Sequence, residues 1–119
     1  MSGINSLFST ALSGLNAAGA IVTTAASNIA NADTNGYKAA RVNLAESRDG
    51  GVNVASITRD SRPGGVDEYG DELSNVDLAT EAVNLKQGAV LYKANAAVLR
   101  VGDDLMGTLL DMFDTHRRH

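Results

Sequence analysis

Two ladders of apolar residues, one at each end of the chain, constrain the fold more than any other feature. In the first, Met1, Ile4, Phe8, Ala11, Leu15, Ala18, Val22, Ala25, Ile29 and Ala32 follow one another in alternating steps of three and four. In the second, the same spacing runs through Leu78, Ala82, Leu85, Ala89, Tyr92, Ala96, Leu99, Met106, Leu110 and Phe113, with Asp103 as the single violation. Such spacing is the heptad signature of helices that pack side by side. From Phe8 onward every second rung of the first ladder is Ala, which lets a partner approach to the close end of the usual interaxial range. Leu7, Leu12 and Ile21 lie off the first seam, and Val76, Ala79, Val83, Val90, Ala94, Ala97 and Val101 form a second line beside the other. Each helix therefore has apolar surface for more than one neighbour.

The residues between the ladders have a different character. Asn35-Gly36 tolerates positive φ and ends the first helix soon after Ala32. Val42 and Leu44, then Val52 and Val54, alternate with polar neighbours around Asp49-Gly50-Gly51, which predicts a small β-hairpin. Residues 59–73 hold the only Pro, Gly64-Gly65 and the carboxylates of Asp67, Glu68, Asp71 and Glu72, the composition of an exposed, mobile acidic loop. Ser74, three residues before Asp77, reads as a capping box for the second helix. The expected fold is mainly α: an elongated antiparallel pair of long N- and C-terminal helices, coiled-coil-like, with a small β-hairpin and an acidic loop between them. Residues 1–119 form a single domain, divided into a helix over 3–32, an insertion over 33–73, a helix over 74–113 and a tail over 114–119.

Length turns this into a statement about shape and stability. Helices of about 28 and 38 residues are roughly 42 and 57 Å long, against a radius of gyration of about 13 to 14 Å for a compact globule of this size. Aromatic residues are 4% of the chain and Trp is absent, so the core rests on Leu, Val, Ile and Ala. Gly14, Gly19, Gly88, Gly102 and Gly107 each cost about 0.5 to 1 kcal/mol relative to Ala in a helix interior. The isolated chain is expected to be marginal, with frayed ends that order on assembly.

Several function classes fall away. Ten Lys and Arg against 14 Asp and Glu give a formal charge of -4, which removes the electrostatic footprint of non-specific nucleic-acid binding. No Cys is present, hence no disulfide framework, thiolate nucleophile or Cys-based zinc site. Residues 1–32 carry no charged side chain, which invites a membrane or signal reading. That stretch nevertheless lacks a positive leading region, and Ser, Thr, Asn and Gly break its apolar runs well short of the roughly 18 to 20 residues of a span. No direct membrane insertion is expected. Neutral polar residues suit a helix whose outer face is also covered, because Asn and Ser hydrogen-bond in an interface without the desolvation cost of a charge.

Nothing in the pattern points to an active site. His116 and His119 flank Arg117 and Arg118 as a solvated tail, and the acidic loop does not have EF-hand spacing. No G-x-S-x-G element accompanies the many Ser and Thr, and Gly50-Gly51 and Gly64-Gly65 lack the Lys and helix start of a phosphate loop. No catalytic residue, metal ligand or cofactor is expected. Tyr37 and Tyr92 read as core anchors.

The segment Ala30-Asn31-Ala32-Asp33-Thr34-Asn35-Gly36-Tyr37 matches A-N-x-x-T-x-G-Y, and with the flanking Ser27-Asn28-Ile29 and Lys38 it resembles the N-terminal signature of the bacterial flagellar rod and hook proteins. At the other end Asn75-Val76-Asp77-Leu78-Ala79, Tyr92-Lys93-Ala94-Asn95 and Thr108-Leu109-Leu110 resemble that family's C-terminal helix in order and spacing. The resemblance covers roughly residues 3–113. It implies an axial structural subunit, exported unfolded through the flagellar type III apparatus without a cleaved signal peptide. Its place would be the periplasm-spanning rod of the basal body, the shaft that transmits motor torque and that motility requires. The partners so implied are other copies, homologous rod subunits and the export apparatus. With only about 40 residues between the helices, a short proximal rod protein is the best fit.

Residues Ala30, Asn31, Thr34, Gly36 and Tyr37, with Asn28 and Asn35, are expected to form the motif-bearing helix exit, Gly36 for backbone reasons and Tyr37 packing back on the helices. Ile4, Phe8, Leu15, Val22, Ile29, Leu85, Tyr92, Leu99, Met106 and Leu110 are expected to form the helix-helix interface. The alternative is a small helical adaptor or secretion chaperone that holds one partner on the same apolar faces, and it differs in saturating at a small fixed ratio.

Overall fold

The structure is a computed structural model that describes residues 2–117. Met1, the first rung of the N-terminal ladder, and Arg118 and His119 of the tail lie outside the described residues. Helix α1 spans Ser2–Ala30, strand β1 Ala40–Glu46, strand β2 Val52–Arg59 and helix α2 Leu78–Arg117. The two helices run antiparallel as a pair, and the hairpin folds back along α1. The molecule measures 82 × 24 × 14 Å with a radius of gyration of 20.8 Å. It is therefore an elongated, mainly α molecule with a small antiparallel hairpin between its helices.

Helix α2 begins later and ends later than the expected range of 74–113, although its first residue is the first rung of its ladder, Leu78. Its N-cap is Asp77, whose Oδ1 accepts from Ala79 N at 3.0 Å, while Ser74 Oγ closes only a local turn with Val76 N. Asp77 wins because its carboxylate both accepts from the free first-turn amide and lies at the positive end of the helix dipole. At the other end, residues 114–117 continue the helix where a tail was expected.

The hairpin forms because Gly50 and Gly51, at φ 91° and 83°, take the left-handed conformations of its five-residue turn, closed by Ser47 N donating to Gly51 O at 3.0 Å. A bulge between Asn43 and Leu44 leaves Ala55 unpaired across the ladder. The turn presses onto α1: Val52 N donates to Ser13 Oγ at 3.1 Å, and a Cβ on Gly51 would lie 2.3 Å from that same oxygen.

Small residues also set how closely the helices approach. A Cβ on Gly88 would lie 2.8 Å from Val22 Cγ2, one on Gly102 would lie 2.8 Å from Phe8 Cε1, and one on Gly14 would lie 2.4 Å from Asn95 Oδ1. These three glycines do not merely loosen the helices; they are the points of closest contact. They also resolve the violation at Asp103. The inward line of α2 runs in steps of seven through the buried Glu81, Gly88 and Gly102 and the half-buried Asn95, one residue before the expected Ala82, Ala89, Ala96 and Asp103, so Asp103 turns outward. Apolar periodicity alone does not show this line, because none of its four residues is a large apolar side chain.

The resulting core is thin. Among the described residues the buried apolar side chains are all alanines: Ala11, Ala17, Ala18, Ala25, Ala39 and Ala40. The accessible surface is 8165 Å², whereas a compact monomer of this mass exposes about 6,100 Å². By length and composition alone α1 is apolar enough to cross a bilayer over Gly3–Ala30. In the fold it is instead paired with α2 and the hairpin.

Candidate functional site

Where α1 ends, four elements meet on one side chain. Asn28 is completely buried and uses its whole hydrogen-bonding capacity. Its Nδ2 donates to Ala40 O and to Glu81 Oε1, both at 2.9 Å, and its Oδ1 accepts from Ala40 N at 2.9 Å and Tyr37 Oη at 3.0 Å. Glu81, only 1% exposed, is completed by Arg41 Nη1, which donates to its Oε2 at 2.7 Å. A buried carboxylate left without partners costs several kcal/mol, so this pairing is a condition of the fold and not an ornament on it. The network ties α1, the helix exit, β1 and α2 together at one point.

The chain reaches that point through a tight exit from α1. Asn31 Nδ2 donates to Ser27 O at 2.9 Å, Thr34 Oγ1 donates to Asn31 Oδ1 at 3.0 Å, and Tyr37 N donates to Thr34 O at 3.1 Å. Gly36, at φ 73°, makes the reversal, and its N–H donates to Glu72 O at 2.8 Å. Arg59 lies over the Tyr37 ring, 5.4 Å from the centroid, in cation–π contact.

A second amide organises the segment before α2. Asn75 accepts from Ala39 N at 2.7 Å through Oδ1, while its Nδ2 donates to Asp60 O at 2.8 Å and Arg62 O at 2.7 Å. The acidic loop is exposed, as expected, and is held by hydrogen bonds of its own. Leu73 N donates to Gly65 O at 2.7 Å, and Val66 and Glu72 form a β-bridge. Asp67 turns its carboxylate onto the loop's own backbone, accepting from Tyr69 N and Asp71 N at 2.9 Å. Lys38 pairs with Glu72, and this ammonium, then the Gly64 N–H, holds the Glu72 carboxyl below its ordinary value. Hydrogen bonds from the Arg62 side chain, then its backbone, hold Asp60 at about 2.

Family comparison places this exit and the second helix in one lineage. A family model described as flagella basal body rod protein matches residues 8–38, and one described as flagellar basal body rod FlgEFG protein C-terminal matches residues 71–112. The first match ends just past the Tyr37 exit and the second spans Asn75, Asp77 and most of α2. The chain belongs to the flagellar basal-body rod protein family. Its role is thus that of a structural component of the flagellar basal body, in a family of structural proteins and not of enzymes. No curated protein matches the chain.

In this rod protein the motif residues divide their work. Asn31, Thr34 and Gly36 build the exit, Tyr37 is half-buried and bonds Asn28, and Ala30 closes α1 while remaining exposed. Of the residues assigned to the helix-helix interface, Ile4, Phe8, Leu15, Val22 and Ile29 on α1 and Leu85, Leu99 and Met106 on α2 are half-buried in the single chain. Tyr92 and Leu110 are 48% and 59% exposed, so Tyr92 is not a core anchor within this chain. Sequence reasoning singled out neither Glu81 nor Arg41, nor the bonds by which Asn75 joins Ala39, Asp60 and Arg62. Asn28, a polar residue within the charge-free helix, was visible as part of the signature, whereas Glu81 looks like any first-turn acid of an exposed helix.

Proposed function

We propose that this chain is a short proximal-rod subunit that self-associates or co-assembles with homologous axial proteins into the torque-transmitting shaft. The observation that carries the reading is the mismatch between core and surface. The buried apolar residues are alanines, while Val83, Val90 and Val101 of α2 are each more than half exposed. Side-to-side burial of such a face along a helical lattice accumulates many weak contacts into rigidity, and the free chain stays soluble and easily unfolded for export through the type III apparatus. Residues 1–119 act as one rod core domain. The interface assigned above has two parts in this reading: the half-buried seam residues hold the hairpin of helices together, and Tyr92 and Leu110 contact neighbouring subunits in the periplasm-spanning rod.

The test is to delete the chain and image isolated basal bodies. The reading expects rods that are missing or truncated, and non-motile cells. Rods of normal length in swimming cells would contradict it.

A further inference from the structure

The outer face of α2 is divided along its length, and the division has a definite periodicity. Opposite the inward-facing Gly88–Asn95–Gly102 line, the outermost ridge is Val83, Val90 and Ala97, then Asp104 and Asp111, all exposed. One position round the helix, Lys86, Lys93 and Arg100 form a basic rim, again at steps of seven and all exposed. None of these three cations, nor Asp104 or Asp111, makes an ion pair among the described residues. Helix α1 carries no charged side chain at all. The charge of the helical pair is therefore confined to α2, with Lys86, Lys93 and Arg100 in its middle followed by the exposed Asp103, Asp104 and Asp111, before the helix ends at Arg117.

We propose that a second copy of this chain docks alongside α2 in parallel, axially staggered, so that the Asp104–Asp111 pair of one copy lies along the Lys86–Lys93–Arg100 rim of the next. This rests on the shaft reading above and supplies its register. Both ladders repeat every seven residues, about 10.5 Å along a helix, so one rung in place brings the next into place. A stagger of eleven residues, about 16 Å, sets Lys93 beside Asp104 and Arg100 beside Asp111, and also sets Val90 beside Val101. A stagger of eighteen residues, about 27 Å, sets Lys86 beside Asp104 and Lys93 beside Asp111. Unstaggered neighbours would instead place like charges together, which is disfavoured. The contact joins two different stretches of the same helix, so it is heterologous and leaves a free basic rim and a free acidic end at the two ends of every oligomer. Such a contact propagates an open assembly and does not close a dimer.

The experiment is charge reversal with restoration, scored by swimming and by imaging of basal bodies. Asp104→Lys with Asp111→Lys, and separately Lys93→Glu with Arg100→Glu, are each expected to reduce swimming to the level of the deletion strain. Both purified variants should keep the wild-type circular dichroism spectrum, since the reversed residues make no ion pair within the chain. The quadruple variant is expected to regain motility, because the pairs are re-formed with opposite sense. Normal swimming by either double variant, or a quadruple variant as immotile as the doubles, overturns the proposal. Direction is read from purified protein: disulfide capture of both Lys93→Cys with Asp104→Cys and Arg100→Cys with Asp111→Cys, or of both Lys86→Cys with Asp104→Cys and Lys93→Cys with Asp111→Cys, supports parallel stagger, because no single antiparallel register brings both pairs of a set together. Capture of only one pair of either set, or capture confined to Arg100→Cys with Asp104→Cys, signals antiparallel pairs and refutes it. A deletion strain that swims normally sinks the shaft reading itself, and that result is scored independently of the variants.

Discussion

Two glycines of α2 should respond to the same substitution with opposite sign. At Gly107 nothing lies within 4 Å of an added Cβ, so Gly107→Ala gains only the backbone term, about 0.5 to 1 kcal/mol of stability. At Gly88 the added methyl would sit 2.8 Å from Val22 Cγ2, 3.0 Å from Ile21 Cγ2 and 3.3 Å from the Val22 backbone nitrogen. Those methyls belong to β-branched side chains whose χ1 is fixed on a helix, so they cannot swing aside. Relief must come from separating the helices, an overpacking cost of about 1 to 3 kcal/mol. Set against the backbone gain, Gly88→Ala loses roughly 0.5 to 2 kcal/mol. At about 4 °C per kcal/mol for a chain of this size, its melting temperature falls by about 2 to 8 °C while that of Gly107→Ala rises by about 2 to 4 °C. Thermal unfolding followed by circular dichroism at low protein concentration reads both. A Gly88→Ala protein that melts at or above the wild type would refute the claim that this seam is set by close approach.

Further outcomes follow from the same contacts. Asn28→Ala leaves Glu81 Oε1, the Tyr37 hydroxyl and the Ala40 N–H without their Asn28 partner, while Ala40 O keeps Arg41 Nη1, and should cost roughly 3 to 5 kcal/mol; retention of wild-type urea stability would show the hub to be dispensable. Asp77→Ala should cost about 1 kcal/mol and speed amide exchange at Ala79 and Thr80, the residues whose N–H groups it caps. Asp60 and Glu72 are both held below their ordinary values of 3.8 and 4.5, so their pairs contribute fully above those values and are lost as pH falls, for Asp60 through about 2. The Gly64 amide, which donates to Glu72 Oε1, should therefore keep its chemical shift at neutral pH and move on acidification below about 4.5; a shift that moves only above neutrality would contradict the assignment. On the seam, Leu15→Asp or Leu99→Asp places a carboxylate against apolar neighbours and should abolish rod assembly, so a motile strain carrying either change would refute their placement there.

How much of this was legible in the sequence follows from what periodicity measures. Large side chains announced α1 and one line of α2, because Phe8, Leu15, Leu85 and Leu99 repeat with the helix. The second line of α2 was not legible, since Glu81, Gly88, Asn95 and Gly102 are there for fit and hydrogen bonding and not for hydrophobicity. The hairpin was legible in Gly50-Gly51 between alternating strands. Its docking on Ser13 was not, because a single serine on a helix gives no signal of its partner. The contacts of the acidic loop were not legible for a similar reason: its composition is that of a solvated segment, whereas Asn75 and the Lys38–Glu72 pair join it to residues distant in sequence. The motif Asn31–Tyr37 was recognisable, and the structure supplies the reason for its residues in the exit turn and the hydroxyl that reaches Asn28.

The most direct measurement is the unfolding free energy of the purified chain in dilute solution, paired with amide exchange over residues 2–20. A core of alanines predicts a value at or below the low end of the usual range, about 5 kcal/mol, rapid exchange across the start of α1, and strong protection of that stretch once basal-body rod partners are added. A dilute monomer that resists unfolding well beyond that value, with α1 already protected and unchanged by those partners, would contradict it.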